Sequence, residues 1–224
     1  MRAVPYLRSK SNHANMLYAV RTPWLLKKVY PTCIWNFPTR EKKIYLSFDD
    51  GPHPVATPFV LEQLKRYNAK ATFFCIGKNV AEYPEIFERI RAEGHAVGNH
   101  TYNHVNGWKT ADEDYFRNIT EANNLIQSKL FRPPYGRITK FQIKTLQNSA
   151  LKLKVIMWTV LSADFDPEIS KEKCLENVSK KTRAGDIVLF HDSEKSFEKM
   201  SFALPEFLKN YSQMGFKFEA IAEK

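Results

Sequence analysis

Two histidines four residues apart, His100 and His104, are the first feature of this chain that could carry chemistry. Two imidazoles and one carboxylate form a common ligand set for a catalytic zinc ion, which keeps a position open for water. Taken alone, this spacing is more often that of coincidental surface histidines. The adjacent carboxylates of Asp49 and Asp50 could complete the set, so the four residues together favour a metal site.

The Asp49–Asp50 pair allows two interpretations. Asp favours turns and helix caps, and the Asp-Gly step that follows supports a structural role. Adjacent carboxylates also repel each other, which raises the pKa of one unless a cation or a proton intervenes. A metal would resolve the repulsion by binding one carboxylate and leaving the other free as a base.

His191 and Asp164 form a second candidate pair. A lone histidine at the end of an apolar strand is usually a buried structural residue. A carboxylate can also hold an imidazole in one tautomer, as it does in hydrolases, and Asp164 could do so for His191. Asp166 and Asp192 are interpreted as residues that cap helices or loops, because Asp often takes such positions.

The elements that must position these residues alternate along the chain. Short apolar runs predict strands at 44–48, 72–76, 95–98, 130–132, 155–160, 187–190 and 216–221. Amphipathic stretches predict helices at 58–67, 84–93, 112–129, 140–147, 171–182 and 205–213. This alternation is typical of a parallel α/β sheet, either open or closed into a barrel. A regular eight-unit barrel usually takes about 250 residues, so a barrel here would be small or incomplete.

Clusters of ionisable residues follow five of the predicted strands directly. In parallel α/β folds, active sites form where the carboxyl ends of the strands meet. Five clusters at such ends therefore predict one shared site. The clusters are 49–53, 100–104, 132–135, 164–166 and 191–192.

The composition is that of a globular chain with one sizeable core, because 43% of its 224 residues are hydrophobic and 26% are charged. A net charge of +10 favours an anionic partner, but the basic residues are scattered and no nucleic-acid-binding motif is present, so we expect no nucleic acid partner. The three cysteines include no CxxC pair. We find no membrane span and no secretory signal, and we expect a cytoplasmic or cell-envelope location.

The chain is expected to hold one catalytic domain, at 44–224. Residues 1–15 are basic and polar without an apolar period, which predicts a flexible extension, and either Met1 or Met16 could be the true start. Apolar and aromatic residues return within 16–43, and we expect that segment to pack onto the domain.

At these residues the chain resembles the polysaccharide deacetylases of the NodB-homology type, carbohydrate esterase family 4. The resemblance runs from about residue 43 to about residue 221. Four motifs of the family are present in order, and together they are highly specific. They are Ser47-Phe-Asp-Asp-Gly-Pro52, His100-Thr-Tyr-Asn-His104, Arg132-Pro-Pro-Tyr135 and Ile187-Val-Leu-Phe-His191.

A further motif, the fourth in chain order, departs from the family pattern. The family usually shows Asp-Trp where this chain has Asp164-Phe165, and an upstream Asp that is common in the family corresponds to Leu161 here. The carboxylate that would hold His191 is kept. The missing Trp removes part of an apolar wall in the substrate groove, which bears on substrate identity more than on the chemistry.

The resemblance implies a distorted (β/α) barrel with about seven strand–helix units. It implies a metal-dependent hydrolase that removes acetyl groups from N-acetylglucosamine-type sugars in a chitin-like or peptidoglycan-like polysaccharide or oligosaccharide. The partner would be such an acetylated amino-sugar polymer or oligomer. The cofactor would be a divalent metal, most often Zn²⁺, with Co²⁺ or Ni²⁺ as alternatives. By the same resemblance, the metal ligands would be Asp50, His100 and His104.

The resemblance also implies catalytic roles. Asp49 would be the general base, held in place by Arg132. His191 would be the general acid, held by Asp164. The backbone N–H of Tyr135 would stabilise the oxyanion.

Two other functions stay open at this point. The altered fourth motif would also suit an amidase that acts on another N-acyl or C–N substrate. The charge of +10 and the missing Trp would suit a sugar-binding module without activity. The complete set of ligands and proton-transfer residues favours an enzyme.

Overall fold

The structure is a computed structural model and describes residues 18–223. The extension expected at 1–15, and the choice between Met1 and Met16, lie outside the described residues. Within 18–223, no helix combines the length and the apolar character needed to cross a membrane.

Strands and helices alternate along the described chain. The strands are β1 (Lys43–Asp49), β2 (Thr72–Cys75), β3 (Ala96–Asn99), β4 (Leu130–Phe131), β5 (Lys154–Val155), β6 (Val160–Leu161), β7 (Ile187–His191) and β8 (Lys217–Glu219). The helices are α1 (Trp24–Val29), α2 (Ala56–Arg66), α3 (Gly77–Glu82), α4 (Pro84–Ala92), α5 (Asp112–Ile126), α6 (Lys140–Asn148), α7 (Lys171–Lys181) and α8 (Glu194–Gln213).

All strand pairs are parallel, in the order β5-β4-β3-β2-β1-β7-β6, and β8 pairs with the first residues of β1. Seven of these strands form a curled half-barrel. The expected distorted (β/α) barrel is therefore confirmed. Parallel strands bring all their carboxyl ends to one end of the sheet. A single site built from the polar clusters at those ends requires this arrangement.

The central strand β1 lies between β2 and β7 and is almost entirely buried. Its Phe48 ring stacks on Phe73 of β2 at 5.1 Å and on Phe190 of β7 at 6.0 Å, measured between ring centroids. A strand covered on both faces is mostly apolar, because neither face meets water, and the two buried polar residues of β1, Ser47 and Asp49, lie towards its carboxyl end. This core holds the end of β1, where Asp49 and Asp50 stand, in a fixed position.

The single strand predicted at 155–160 is wrong. The structure has two short strands, β5 and β6, joined by 156–159. β5 pairs with β4, whereas β6 pairs with β7 at the other edge of the half-barrel. The segment between them must therefore cross the opening of the sheet, which an uninterrupted strand cannot do.

The helix predicted to begin at Pro205 begins instead at Glu194 and continues through the proline. Proline removes one helical hydrogen bond and usually kinks a helix. The residues around it, including Leu204 and Phe207, are buried in the main core, so packing of the apolar face keeps the helix intact. Helix α3 was not predicted.

Residues 18–37, which we call the N-terminal strap, close the opening between the two edges of the half-barrel. The amide of Leu161 in β6 donates to the carbonyl of Val20 at 2.8 Å, and the amide of Ile34 donates to the carbonyl of Val155 in β5 at 2.9 Å. Trp35 is buried in the core under β4 and β5. The strap therefore supplies backbone partners that the short edge strands lack.

The strap lies close against the sheet at Gly185, and a substitution of this glycine tests that contact. Its φ is +80°, and a Cβ there would lie 2.2 Å from the carbonyl oxygen of Phe37. We expect Gly185→Ala to lower the free energy of unfolding by about 1–2 kcal/mol for the left-handed backbone and by about 1–3 kcal/mol more for the overlap. Urea unfolding followed by circular dichroism measures the loss.

Gly215 provides the matched control. It has the same φ of +80°, but a Cβ there would meet nothing closer than Lys42 at 3.9 Å. Gly215→Ala should therefore lower the free energy of unfolding only by the contribution of the left-handed backbone, about 1–2 kcal/mol. Equal losses in the two variants would contradict the proposed close contact between Gly185 and the strap.

Candidate active site

A groove of about 1050 Å³ opens at the carboxyl ends of the strands. Six of the eight predicted site residues line it, and the other two, Arg132 and Asp164, lie behind them with no solvent exposure. The fold thus brings all eight together from five strand ends. The six that line the groove are Asp49, Asp50, His100, His104, Tyr135 and His191.

Asp50, His100 and His104 each offer a ligand atom, and these atoms lie within 4.8 Å of one another. Oδ1 of Asp50 lies 3.2 Å from Nε2 of His104 and 3.6 Å from Nε2 of His100. Two ligands of a tetrahedral zinc ion stand about 3.4 Å apart. Oδ1 of Asp50 is buried and has no hydrogen-bond partner among residues 18–223. An orphaned oxygen between two imidazole nitrogens fits a bound cation.

The charges of this cluster also suit a metal. Burial alone would raise the pKa of Asp50, but His104, His191 and His100 hold it below its ordinary value. The adjacent carboxylates therefore do not force a proton onto Asp50. Burial lowers the pKa of His100 to about 4, so its imidazole is neutral at neutral pH, the form that binds metals.

The orientation of His100 is fixed by the backbone behind it. Its Nδ1–H donates to the carbonyl of Arg132 at 2.7 Å, because a carbonyl only accepts. The other nitrogen, Nε2, is therefore the one that faces Asp50. An outer partner of this kind is the usual support of a metal-binding imidazole.

The loop that carries Asp50 is held by Asp192. The carboxylate of Asp192 accepts a hydrogen bond from the Gly51 amide at 3.1 Å and another from the Thr57 hydroxyl at 2.5 Å. A Cβ at Gly51 would lie 2.1 Å from Oδ2 of Asp192, so only glycine fits. Burial raises the pKa of Asp192 to about 8, although the bond from Thr57 opposes this. Asp192 therefore anchors this loop. The role expected from the sequence, that of a residue that caps a helix or a loop, is compatible with this.

Arg132 holds Asp49. Its Nη1 donates to Oδ1 of Asp49 at 2.7 Å and to the hydroxyl of Ser47 at 2.8 Å. The carbonyls of 156 and 157 accept from its Nε and Nη2 at 3.1 Å each. The second carboxylate oxygen of Asp49, Oδ2, lies 3.8 Å from Nε2 of His100. One oxygen is thus fixed by the guanidinium, and the other stands beside the metal-ligand cluster.

Asp164 holds His191 through both of its oxygens. The ring Nδ1–H of His191 donates to Oδ1 at 2.7 Å, and its backbone N–H donates to Oδ2 at 2.8 Å. Burial alone would lower the pKa of His191, but the carboxylate of Asp164, aided by Asp50 and Asp49, raises it to about 9. The imidazole is therefore protonated at neutral pH, as a general acid must be.

Tyr135 lies in a tight turn that follows β4. Its φ is +60°, and the two hydrogen bonds of the turn are donated by the amides of Gly136 and Arg137. The amide of Tyr135 is therefore not used by the turn. The ring of Tyr135 is exposed and lies 4.6 Å from the ring of His104.

Three aromatic residues of the groove were not predicted as site residues: Tyr18, Trp108 and Trp158. Tyr18 comes from the N-terminal strap, and its hydroxyl donates to Asp166 at 2.6 Å. No local signal could have placed it, because it lies 148 positions from that partner. Its ring packs edge-on against Phe165 at 5.8 Å.

The two departures in the fourth motif both reach the groove. Phe165 meets the ring of His191 edge-on at 5.1 Å, and Leu161 lines the same wall. This side of the groove is therefore apolar.

Comparisons with known proteins agree with the geometry. The family model for polysaccharide deacetylases matches residues 36–153. A peptidoglycan-N-acetylglucosamine deacetylase of Bacillus cereus is 34% identical over 207 residues, which cover 89% of this chain and 96% of the relative. A chitooligosaccharide deacetylase of Azorhizobium caulinodans is 37% identical over 160 residues, which cover 68% of this chain and 74% of the relative.

Solved structures show the same fold. A crystal structure of a peptidoglycan N-acetylglucosamine deacetylase superposes with a TM-score of 0.81 at 29% identity, over 89% of this chain and 95% of that one. A carbohydrate esterase family 4 pseudoenzyme of Bacillus anthracis superposes with a TM-score of 0.76 at 26% identity, over 85% of this chain and 68% of that one. The family and hydrolase class indicated by the motifs are confirmed: this chain belongs to the polysaccharide deacetylase family, carbohydrate esterase family 4.

Proposed function

We propose that this protein is a metal-dependent hydrolase that removes acetyl groups from N-acetylglucosamine-type sugars in a peptidoglycan-like or chitin-like polymer or oligomer. One observation carries the proposal. A single groove holds three residues that could bind a metal ion, Asp50, His100 and His104, together with Asp49 and His191, each anchored by a buried partner. The similarity to named peptidoglycan and chitooligosaccharide deacetylases supports this substrate class. A peptidoglycan-like substrate would place the protein in the cell envelope.

Asp50, His100 and His104 would hold the divalent metal. Two imidazoles and one carboxylate suit zinc, and cobalt or nickel accept the same donors. When bound, the metal supplies Lewis-acid polarisation of the amide carbonyl and lowers the pKa of a coordinated water.

Asp49 would act as the general base. The water that attacks the acetyl carbon must lose a proton as the new C–O bond forms, and Oδ2 of Asp49 is the oxygen that Arg132 leaves available beside the ligand cluster. Fixing the carboxylate in advance removes the cost of orienting it during the reaction.

Tyr135 and His191 would complete the cleavage. The backbone N–H of Tyr135 would donate to the carbonyl oxygen as that oxygen gains negative charge, a contact worth about 3–4 kcal/mol in comparable sites. The remaining ring nitrogen of His191, Nε2, would give its proton to the amine nitrogen as the C–N bond breaks. The products are acetate and a free amino sugar, and the proton taken by Asp49 balances the one given by His191.

An amidase that acts on other N-acyl compounds is the second candidate. The apolar wall formed by Leu161 and Phe165 favours it, because this wall departs from the family pattern. Acetate release from chitooligosaccharides, peptidoglycan fragments and small N-acyl compounds separates the two. Acetate release from the small compounds alone would contradict the glycan proposal and favour the amidase. The third candidate, a sugar-binding module without activity, requires that no substrate of the panel releases acetate.

The metal-ligand role of His104 is tested by His104→Ala. Losing one of three ligands should abolish stoichiometric zinc binding and lower kcat/KM for chitooligosaccharide deacetylation at least about 100-fold, because Lewis-acid assistance contributes several kcal/mol. Zinc content by mass spectrometry and acetate release are measured on the same preparations.

His53→Asn is the matched control. His53 lies near the site, but its ring accepts hydrogen bonds from the amides of Val55 and Ala56 at the start of α2. Asn caps helices in the same way, so this variant should keep its zinc and its activity. Full activity in His104→Ala, or equal loss of zinc in both variants, would contradict the assignment.

The His191–Asp164 pair predicts a pH effect. Asp164 raises the pKa of His191 to about 9, so the acid is present below that pH and is lost as pH rises through it. In Asp164→Asn, burial still lowers the pKa of the imidazole while the opposing charge is gone. The alkaline limb of the kcat/KM profile should therefore move to lower pH by about 1–3 units.

The acidic limb provides the internal reference for this variant. It reports the deprotonation of other groups and should move much less than the alkaline limb. An alkaline limb that stays in place in Asp164→Asn would show that His191 is not the acid whose titration limits the rate.

A further inference from the structure

Helix α1 exposes four large apolar side chains, and none of its residues is buried. Trp24 is 66% exposed, Leu25 58%, Leu26 43% and Val29 38%. We call these four residues the α1 patch. Single exposed apolar residues are ordinary, but four within six positions are an exposed apolar cluster of the kind that marks an interaction site.

The apolar face of α1 points away from the domain. Lys27 is directed towards Asn36 of the same strap, to whose side-chain oxygen its Nζ donates at 3.0 Å, and Asn36 in turn pairs with Asp186 beside β7. Successive residues of a helix are about 100° apart, so Leu25 and Val29 lie opposite Lys27, about 160° from it, and Leu26 lies to one side at about 100°. The helix therefore exposes leucine and valine to solvent, while Lys27 bonds to the strap's own Asn36.

The α1 patch lies near the amino ends of the strands, opposite the groove. Asn36 pairs with Asp186, directly before β7, and Arg21 forms an ion pair with the same aspartate at 2.6 Å. His191 is at the far end of β7, five residues along, which is about 16 Å in a strand. A surface bound by the patch would leave the active site open.

Basic residues lie on α1 and beside the strap at this end of the sheet. Lys28 lies over the ring of Trp24, with Nζ 4.5 Å from the ring centroid. Arg21 donates to the carbonyl of Lys181 at 2.6 Å, which places the basic end of α7 beside the strap. Lys181 and Arg183 are both exposed. The patch thus contains one cation, Lys28, and the exposed Lys181 and Arg183 lie beside the strap that carries the patch.

We propose that the α1 patch docks the protein onto an anionic lipid surface, with the catalytic groove facing away from the membrane. Tryptophan and leucine beside lysine are the composition of interfacial membrane anchors, in which rings and aliphatic chains enter the headgroup region and cations meet anionic lipids. A glycan would not bind leucine and valine. A second copy of the chain is disfavoured, because a stable protein interface takes about 20–30 residues on each side.

The test is vesicle sedimentation with the full-length protein. Vesicles of phosphatidylcholine with phosphatidylglycerol are compared with vesicles of phosphatidylcholine alone. The wild type should bind the anionic vesicles, and added salt should weaken the binding. The double variant Leu25→Ser with Leu26→Ser keeps every charge of the chain, and it should bind at least about tenfold more weakly.

Phe141→Ser is the matched control, since Phe141 is 60% exposed on another helix, and it should bind as the wild type does. Both leucines are exposed, so the double variant should fold and keep its activity on small soluble substrates. If it does not fold, Trp24→Ser serves the same purpose.

Three results would overturn the proposal. The wild type could fail to bind anionic vesicles. The double variant could bind as tightly as the wild type, which would assign binding to charges elsewhere. Sedimentation velocity could reveal a wild-type dimer that the double variant lacks, which would make the patch a contact between copies. None of these results bears on the deacetylase proposal.

Discussion

The buried guanidinium of Arg132 is the contact on which the rest of the site depends. A cation with no solvent exposure must have its charge and its hydrogen bonds satisfied within the protein, or the fold loses several kcal/mol. Arg132 places four of its five N–H donors on the carboxylate of Asp49, the hydroxyl of Ser47 and two carbonyls of 156–157. Its carbon Cζ also lies 4.0 Å from the ring centroid of Phe74. One side chain thus ties the ends of β1 and β4 to the segment that crosses the half-barrel.

The same residue connects Asp49, the proposed base, to the three proposed metal ligands. Its side chain fixes Asp49, and its carbonyl accepts from His100, which turns Nε2 of that ring towards Asp50. Asp164 holds the side chain of His191 in position, as Arg132 holds that of Asp49. Reactive groups that are held before the substrate arrives need little reorganisation in the transition state, which is the main source of catalytic power in such sites.

Much of this site could be predicted from the sequence because its signals are local. The proposed ligands and proton-transfer residues stand at or a few residues beyond the ends of apolar strands, and parallel strands bring such positions together whatever their separation along the chain. The contacts that depend on distant parts of the chain could not be predicted. Tyr18 reaches the groove only because the strap closes the half-barrel, and the break between β5 and β6 follows from the two edges that they join. Asp192 looked like an ordinary loop residue until its bonds to Gly51 and Thr57 were seen.

The most direct measurement of the central claim is metal removal followed by titration. The wild-type protein is stripped with a chelator, and acetate release from chitooligosaccharides is followed as Zn²⁺ is added back. Activity should be absent in the stripped protein and should rise in proportion to zinc until one ion is bound per chain, because the described chain offers one cluster of ligands, at Asp50, His100 and His104. Full activity in the stripped protein would contradict the account.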